Sequence, residues 1–360
     1  MFELLSTSPR SIVKQKNKGV AMSSIAATEK KQIVKKIRSD KSLYFESLEL
    51  VSKQIIKCRF NLEEPLRSAF DHHFKKSGKL LRANLALRAS QASGLTEYSC
   101  IRWATSVELL HNASLVHDDV CDDDAERRGI TSVSEMYGKE IAICLGDAMI
   151  ALSSLLLAED QSLRYTLPAH NLAILRLSAG QAAEFATLSY PTWTTYEKLV
   201  EGKTTPLISL PVLGLNPVGW DDAESQLVSH YFSITSVAFQ MMNDIQNINL
   251  GKQTISPASD LRELRPNAVI AKFYEELPEL DKKLFAESRY GRKFVENDAR
   301  LNFWWEKILL SNSMESTRQI LNDKLRRSER ILDSLSIKNK SILQPFDRWL
   351  HESYSKLSSL

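Results

Sequence analysis

Apolar residues recur every three or four positions over most of this 360-residue chain, and little interrupts them. Only 12 Gly and 11 Pro punctuate the sequence, and no alternating strand pattern of useful length occurs. The spacing predicts helices over 29–58, 62–76, 80–93, 97–118, 139–159, 166–189, 222–248 and 296–335. Breaks fall at Gly94, Gly129, around Pro168, at Pro191, from Pro206 to Pro217 and from Pro257 to Pro266. Long helices with short connectors make a single all-α domain over 29–360.

Residues 1–28 read as a flexible basic tail, Ser- and Lys-rich with little apolar periodicity. Residues 1–21 carry the whole net charge of +3, so the remainder balances at zero and nucleic acid is not expected as a partner. The expected location is the cytoplasm. An organellar transit role for the tail, or a start at Met22, is the alternative. Four cysteines, Cys58, Cys100, Cys121 and Cys144, with no CxxC, fit a reducing compartment. The apolar run 141–158 is nearly long enough to span a membrane. Asp147 lies inside it, so it reads as a buried core helix and no transmembrane segment is expected.

One stretch stands apart. In "LLHNASLVHDDVCDDDAERRG" (109–129) an apolar helix runs straight into five aspartates within seven residues. Asp118 and Asp122, four apart, share a face, with Asp119 beside them. Like charges at that spacing repel, and partial burial raises the cost. A solvated acidic face is the bland reading, weakened because the run continues an apolar helix. An EF-hand fails, because counting from Asp118 puts Val120 third and Asp123 sixth, where an oxygen ligand and a glycine are needed. Mg²⁺, which joins one or two carboxylates to phosphate oxygens, fits, and Arg127 and Arg128 follow at once as phosphate-binding groups.

That stretch resembles the first aspartate-rich motif, DDxxD followed by RRG, of the trans-isoprenyl diphosphate synthases. Further elements match in order: "GKLLR" (78–82), "CLGDAMIA" (144–151), "AGQAAEF" (179–185), "EGKTTPL" (201–207), "FQMMNDIQN" (239–247) and "GKQTISPASDLRELRPN" (251–267). The resemblance implies an all-helical bundle of the isoprenoid synthase type, with a deep central cavity, usually homodimeric. It implies up to three Mg²⁺ between two aspartate-rich helices. An allylic diphosphate ionises there and isopentenyl diphosphate attacks the carbocation. Carried over, Asp118, Asp119 and Asp122 hold metal, Asp124 assists, and Arg127 holds the allylic diphosphate. Lys79, Arg82, His111 and Arg128 hold isopentenyl diphosphate. Lys203 stabilises the leaving diphosphate, Thr204 and Gln240 sit near the cation, and Lys252 belongs to the tail of the second motif. Small residues at Ala113 and Ser114, where bulky aromatics stop growth, imply products of about twenty carbons or longer.

The second motif departs from FQxxDDxxD. Asp244 stands between Asn243 and Asn247, which would ligate metal through amide oxygens and add no countercharge. Nor does it match the NDxxSxxxE motif of terpene cyclases, since Asn247 and Gly251 occupy the positions that need a hydroxyl and an acid. Arg265 and Asn267 replace a usual Lys and Thr. Three readings stay open: a chain-elongating synthase with weakened metal affinity, a terpene synthase or prenyltransferase with another acceptor, and a catalytically weak partner subunit.

Overall fold

The computed structural model describes residues 46–358 except 77, 188, 217–221, 255 and 288–298. The tail 1–28 and the start of the helix expected over 29–58 lie outside the described residues. The chain divides into two compact units, 1–50 and 51–360. Residues 46–50 of the first are helical. The second opens with helical residues 51–57 (α1) and a 3-10 turn, Cys58–Asn61.

The order continues with α2 (Leu66–His73), α3 (Leu81–Ala92), α4 (Glu97–Cys121), a hairpin of β1 (Glu126–Arg127) and β2 (Ile130–Thr131), α5 (Val133–Tyr137) and α6 (Lys139–Glu159). Then come α7 (Leu167–Ala186), α8 (Trp193–Leu213), α9 (Ala223–Thr254), α10 (Ser259–Arg262), α11 (Ala268–Glu276) and α12 (Glu279–Glu287). The last are α13 (Ala299–Leu310), α14 (Ser313–Ser334) and α15 (Ile337–Ser358).

α4 is the central post, packed on α3, α6 and α8. Thr96 caps its start, accepting the Ser99 N–H at 3.2 Å. Buried positions surround it, Trp103, Leu109, Leu110, Ala113 and Val116 among them, as a helix enclosed on several sides requires. It runs on to Cys121, so the expected helix carries its aspartates at its carboxyl end.

α8 corrects the sequence reading, which placed a break from Pro206. The helix contains Pro206 and Pro211 and runs unbroken to Leu213, where its last turns are buried. Tertiary packing overrides the local cost of proline here. α6 also differs from expectation. One face is buried, at Leu145, Met149, Leu152 and Leu156, but Ile143 and Leu155 are each 46% exposed. It is the one helix among the described residues that is long and apolar enough to cross a membrane. The single helix expected over 296–335 is two, α13 and α14, divided at Ser311 and Asn312.

Candidate active site

The end of α4 sets the geometry. Asp118, about a quarter exposed, faces α8, with Lys203 Nζ 4.0 Å from its Oδ1. Lys203 also lies 3.6 Å from Glu184 of α7. A close crossing brings these helices together: a Cβ on Gly180 would stand 2.5 Å from the Gly202 carbonyl carbon, so only glycine fits. Burial raises the Asp118 carboxyl to about 6, against the pull of Lys203 and with help from Asp122. Asp119 points elsewhere and is buried. Arg127 donates to its Oδ1, Nε at 2.7 Å, while its Oδ2 is buried with no hydrogen-bond partner among the described residues.

After Asp122 the chain reverses through Asp123, at φ 53°, into the hairpin. The two-residue turn is Arg128–Gly129, both left-handed at φ 56° and 70°, as the primed hairpin turns require. Four non-glycine residues with positive φ occur among the described residues: Leu80, Asp123, Arg128 and Leu264. Each lies in a segment that carries site residues, where backbone strain tends to be kept.

Across from α4, α9 presents Gln240, Asn243, Asp244 and Asn247. Asp244 is fully buried and well satisfied. Its Oδ2 accepts from Tyr196 at 2.6 Å and from the Ala268 N–H at 2.8 Å, its Oδ1 from Gln240 at 2.8 Å. Asp260, half-buried, accepts from Asn267 Nδ2 at 2.8 Å. Burial pushes both carboxyls upward, with Asp260 adding to the rise at Asp244 and Glu263 and Asp122 to that at Asp260. Asn243 is exposed. Asn247 does not point freely into the site. Its Nδ2 donates to Ser259 Oγ at 2.7 Å and its Oδ1 accepts the Asp260 N–H at 3.3 Å. The expectation of Asn247 as a metal ligand therefore meets an amide already engaged in holding the turn that carries Asp260. Asp122, Glu184, Lys203, Thr204, Gln240, Asp244, Asp260 and Arg265 line one cavity of about 170 Å³.

A cationic cluster lies two turns earlier along α4, where His111 stands seven residues before Asp118 on the same face. Arg82 Nη1 donates to His111 Nε2 at 3.0 Å. His111 Nε2 is thus the acceptor and Nδ1 carries the proton. That Nδ1 and Arg82 Nε are buried with no partner among the described residues. Burial, reinforced by Arg82 and Arg128, keeps His111 well below its usual range, so it is neutral. Burial lowers Arg82 to about 10, with Glu108 opposing the shift. Arg128 reaches Lys76 O at 3.2 Å and Asn112 Oδ1 at 3.4 Å. A Cβ on Gly78 would meet its guanidinium at 2.7 Å, so the glycine admits the arginine.

The family model for polyprenyl synthetase matches residues 63–302. The geranylgeranyl diphosphate synthase of Saccharolobus solfataricus is 30% identical over 280 residues, which is 72% of this chain and 82% of the relative. The chain belongs to the polyprenyl synthetase family. It is accordingly a prenyltransferase of the isoprenyl diphosphate synthase type. Its fold is also that of the geranylgeranyl pyrophosphate synthetase of Pyrococcus horikoshii, with TM-score 0.72, 24% identity and coverage of 86% and 97%. The decaprenyl diphosphate synthase of Rhodobacter capsulatus superposes with TM-score 0.74 at 21% identity, covering 88% and 98%.

Within this polyprenyl synthetase the expected residues fall into three groups. Asp122, Lys203, Thr204, Gln240 and Asp244 share the cavity, with Asp118 beside Lys203. Arg82, His111 and Arg128 share the cationic cluster. Lys79 and Lys252 stand apart. Lys79 is exposed, its Nζ 5.6 Å from the Trp349 ring centroid, and Lys252 is exposed on the last turn of α9. Ala113 is fully buried and Ser114 half-buried, its Oγ donating to His111 O at 2.7 Å. The sequence reading missed Glu184, Tyr196, Asp260 and Glu108. It noted Arg265 and Asn267 without assigning them a role. Arg265 ties the two acidic segments together, bonding Asp122 O at 2.9 Å and Asp124 Oδ1 at 2.8 Å. Asn267 caps α11 by accepting the Val269 N–H at 2.9 Å.

No three acid, histidine or cysteine side chains among the described residues converge into a metal cage. Mg²⁺ takes one or two carboxylates and completes its shell with water and phosphate oxygens. The desolvated Asp118 carboxyl and the unpartnered Asp119 Oδ2 fit such an ion.

Proposed function

We propose that this synthase joins isopentenyl diphosphate to an allylic prenyl diphosphate, with products of about twenty carbons or longer. One observation supports this most: two anion-binding clusters flank the same helix. The first is the acidic end of α4 with Lys203. The second is Arg82, His111 and Arg128, with unpartnered buried donors. A cyclase acting on one diphosphate has no use for the second cluster, so the family membership and this pair together disfavour a terpene synthase.

Mg²⁺ would be held by Asp118 and Asp122, with Asp119 alongside, and from the α9 side by Asp244 and the amide oxygen of Asn243, while Asn247 stays with the turn at Ser259. Bound there, it supplies positive charge to the diphosphate oxygens. Lys203 stands where the allylic C–O bond breaks and takes up charge on the leaving group. Arg127, held by Asp119, orients the allylic diphosphate. Arg82 and the His111 Nδ1–H orient isopentenyl diphosphate, so its double bond meets the allylic carbon. Lys79 and Lys252 would join from the surface. Thr204 and Gln240 offer dipoles to the cation while the buried wall excludes water.

Purified protein with Mg²⁺ and geranyl or farnesyl diphosphate is expected to give a longer prenyl diphosphate only when isopentenyl diphosphate is added. A hydrocarbon or alcohol formed without it would overturn the reading. The exposed Asn243 contributes no charge, so Asn243→Asp is expected to lower the Mg²⁺ needed for half-maximal rate about tenfold, or 1.4 kcal/mol. An unchanged Mg²⁺ requirement would count against this account of the second motif.

We also propose a homodimer. Ile143 and Leu155 of α6, with Leu172 and Leu175 of α7, leave apolar side chains 38–67% exposed, and a second copy would cover them. Leu175→Glu should shift the mass seen by sedimentation from dimer to monomer. A dimer unaffected by that charge would place the interface elsewhere. We assign the enzyme to the cytoplasm, with α6 facing a partner rather than lipid.

A further inference from the structure

The segment that leads into α3 serves the cationic cluster in two ways. Gly78 leaves room for the Arg128 guanidinium, and Arg82 turns inward to His111. Lys79 lies between them, followed by the left-handed Leu80 at φ 49°, and its side chain is exposed. Among the described residues no carboxylate pairs with it. Its Nζ stands instead over the Trp349 ring of α15, 5.6 Å from the centroid.

That ring is itself fixed. Trp349 is half-buried and stacks on Phe346, with centroids 5.9 Å apart. It also lies 5.7 Å from the Phe239 ring of α9. Phe346 is buried against Phe232, and its neighbour Asp347 accepts from the Tyr231 hydroxyl at 3.0 Å. Phe239 directly precedes Gln240, which lines the cavity. An aromatic stack anchored in α9 therefore ends under the one lysine between Gly78 and Arg82.

An aromatic face attracts an ammonium through its quadrupole, by about two- to fivefold in an equilibrium constant at an exposed site. A carboxylate in its place would cancel the charge that a diphosphate needs. The ring restrains the lysine and leaves its charge whole.

We propose that Trp349 is a positioning residue for isopentenyl diphosphate, holding Lys79 by its aromatic face beside the Arg82, His111 and Arg128 cluster. This brings α15 into a site otherwise built from α3, α4 and the hairpin. It rests on the assignment of Lys79 to that substrate made above.

The test is steady-state kinetics with farnesyl and isopentenyl diphosphates for wild type, Trp349→Leu, Trp349→Phe, Lys79→Ala and the Trp349→Leu, Lys79→Ala double variant. Trp349→Leu is expected to raise the KM for isopentenyl diphosphate about two- to fivefold, with a much smaller change in kcat and in the KM for farnesyl diphosphate. Trp349→Phe keeps an aromatic face and should restore most of the loss. With Lys79 already replaced by alanine, Trp349→Leu should add nothing, because the ring then has no ammonium to hold. A packing defect would instead persist in the double variant and move both KM values. Trp349→Met, which keeps more bulk, replaces Trp349→Leu if that variant does not fold, as judged by circular dichroism. The same KM penalty with and without Lys79, or none while Lys79→Ala raises the KM, overturns the proposal. If Lys79→Ala leaves that KM unchanged, the assignment of Lys79 fails instead.

Discussion

Replacing Asp118 by alanine is expected to lower kcat/KM by about 10³-fold or more, near 4 kcal/mol of transition-state stabilisation. The reason lies in what this carboxylate endures. It is desolvated at the end of a buried helix, raised to about 6 by that burial, and only partly relieved by Lys203. At neutral pH it is ionised against a penalty. A group with a raised carboxyl pKa binds more protons folded than unfolded, so its ionisation costs stability as pH rises through that window. Asp118→Ala should therefore melt no lower than wild type at pH 7.5 without metal, while activity collapses. Asp119 behaves differently, because its removal leaves Arg127 without its principal partner. Asp119→Ala should lose both stability and activity. Wild-type activity within tenfold for Asp118→Ala would remove the acidic end of α4 from the chemistry.

Much of this was legible because periodicity and motif spacing are local. α3, α4, α6 and α7 begin and end within about three residues of their expected limits. Asp118, Asp122, Lys203, Thr204 and Gln240 were found through motif resemblance, and the fold brings them together. What was missed is non-local. Nothing near Tyr196 in sequence indicates that its hydroxyl reaches Asp244, forty-eight positions away. Glu184 meets Lys203 only because Gly180 and Gly202 let two helices touch. α8 was misread because proline is a local signal and burial is not. Asn247 shows the same limit: spacing predicts its helix face, but only the packed turn at Ser259 shows what its amide is bound to.

The second large effect concerns acid. His73 of α2 is buried, with Nε2 2.9 Å from Asn112 Oδ1. Burial lowers it to about 4, Asn112 opposes the shift, and Arg128 and Arg127 add to it. Unfolded, it titrates near 6.5. Between those values the unfolded chain binds the extra proton, so stability is complete above about 6.5 and is lost as pH falls toward 4. The loss is about 3 kcal/mol at 1.36 kcal/mol per unit. Buried carboxyls such as Asp118 shift the opposite way, so the clean measurement is a difference. Urea unfolding of wild type and His73→Gln, at pH 7 and pH 4, should show wild type losing about 3 kcal/mol more than the variant. Glutamine keeps a donor for Asn112 and has no titration. Equal losses would mean that His73 takes up its proton without cost. In the folded chain the same proton arrives only near pH 4, after that stability has fallen. Asn112 Oδ1 also accepts from Arg128, and an imidazolium beside it repels that guanidinium. The KM for isopentenyl diphosphate should therefore rise only near pH 4, while the KM for the allylic substrate, bound at the aspartates, changes less.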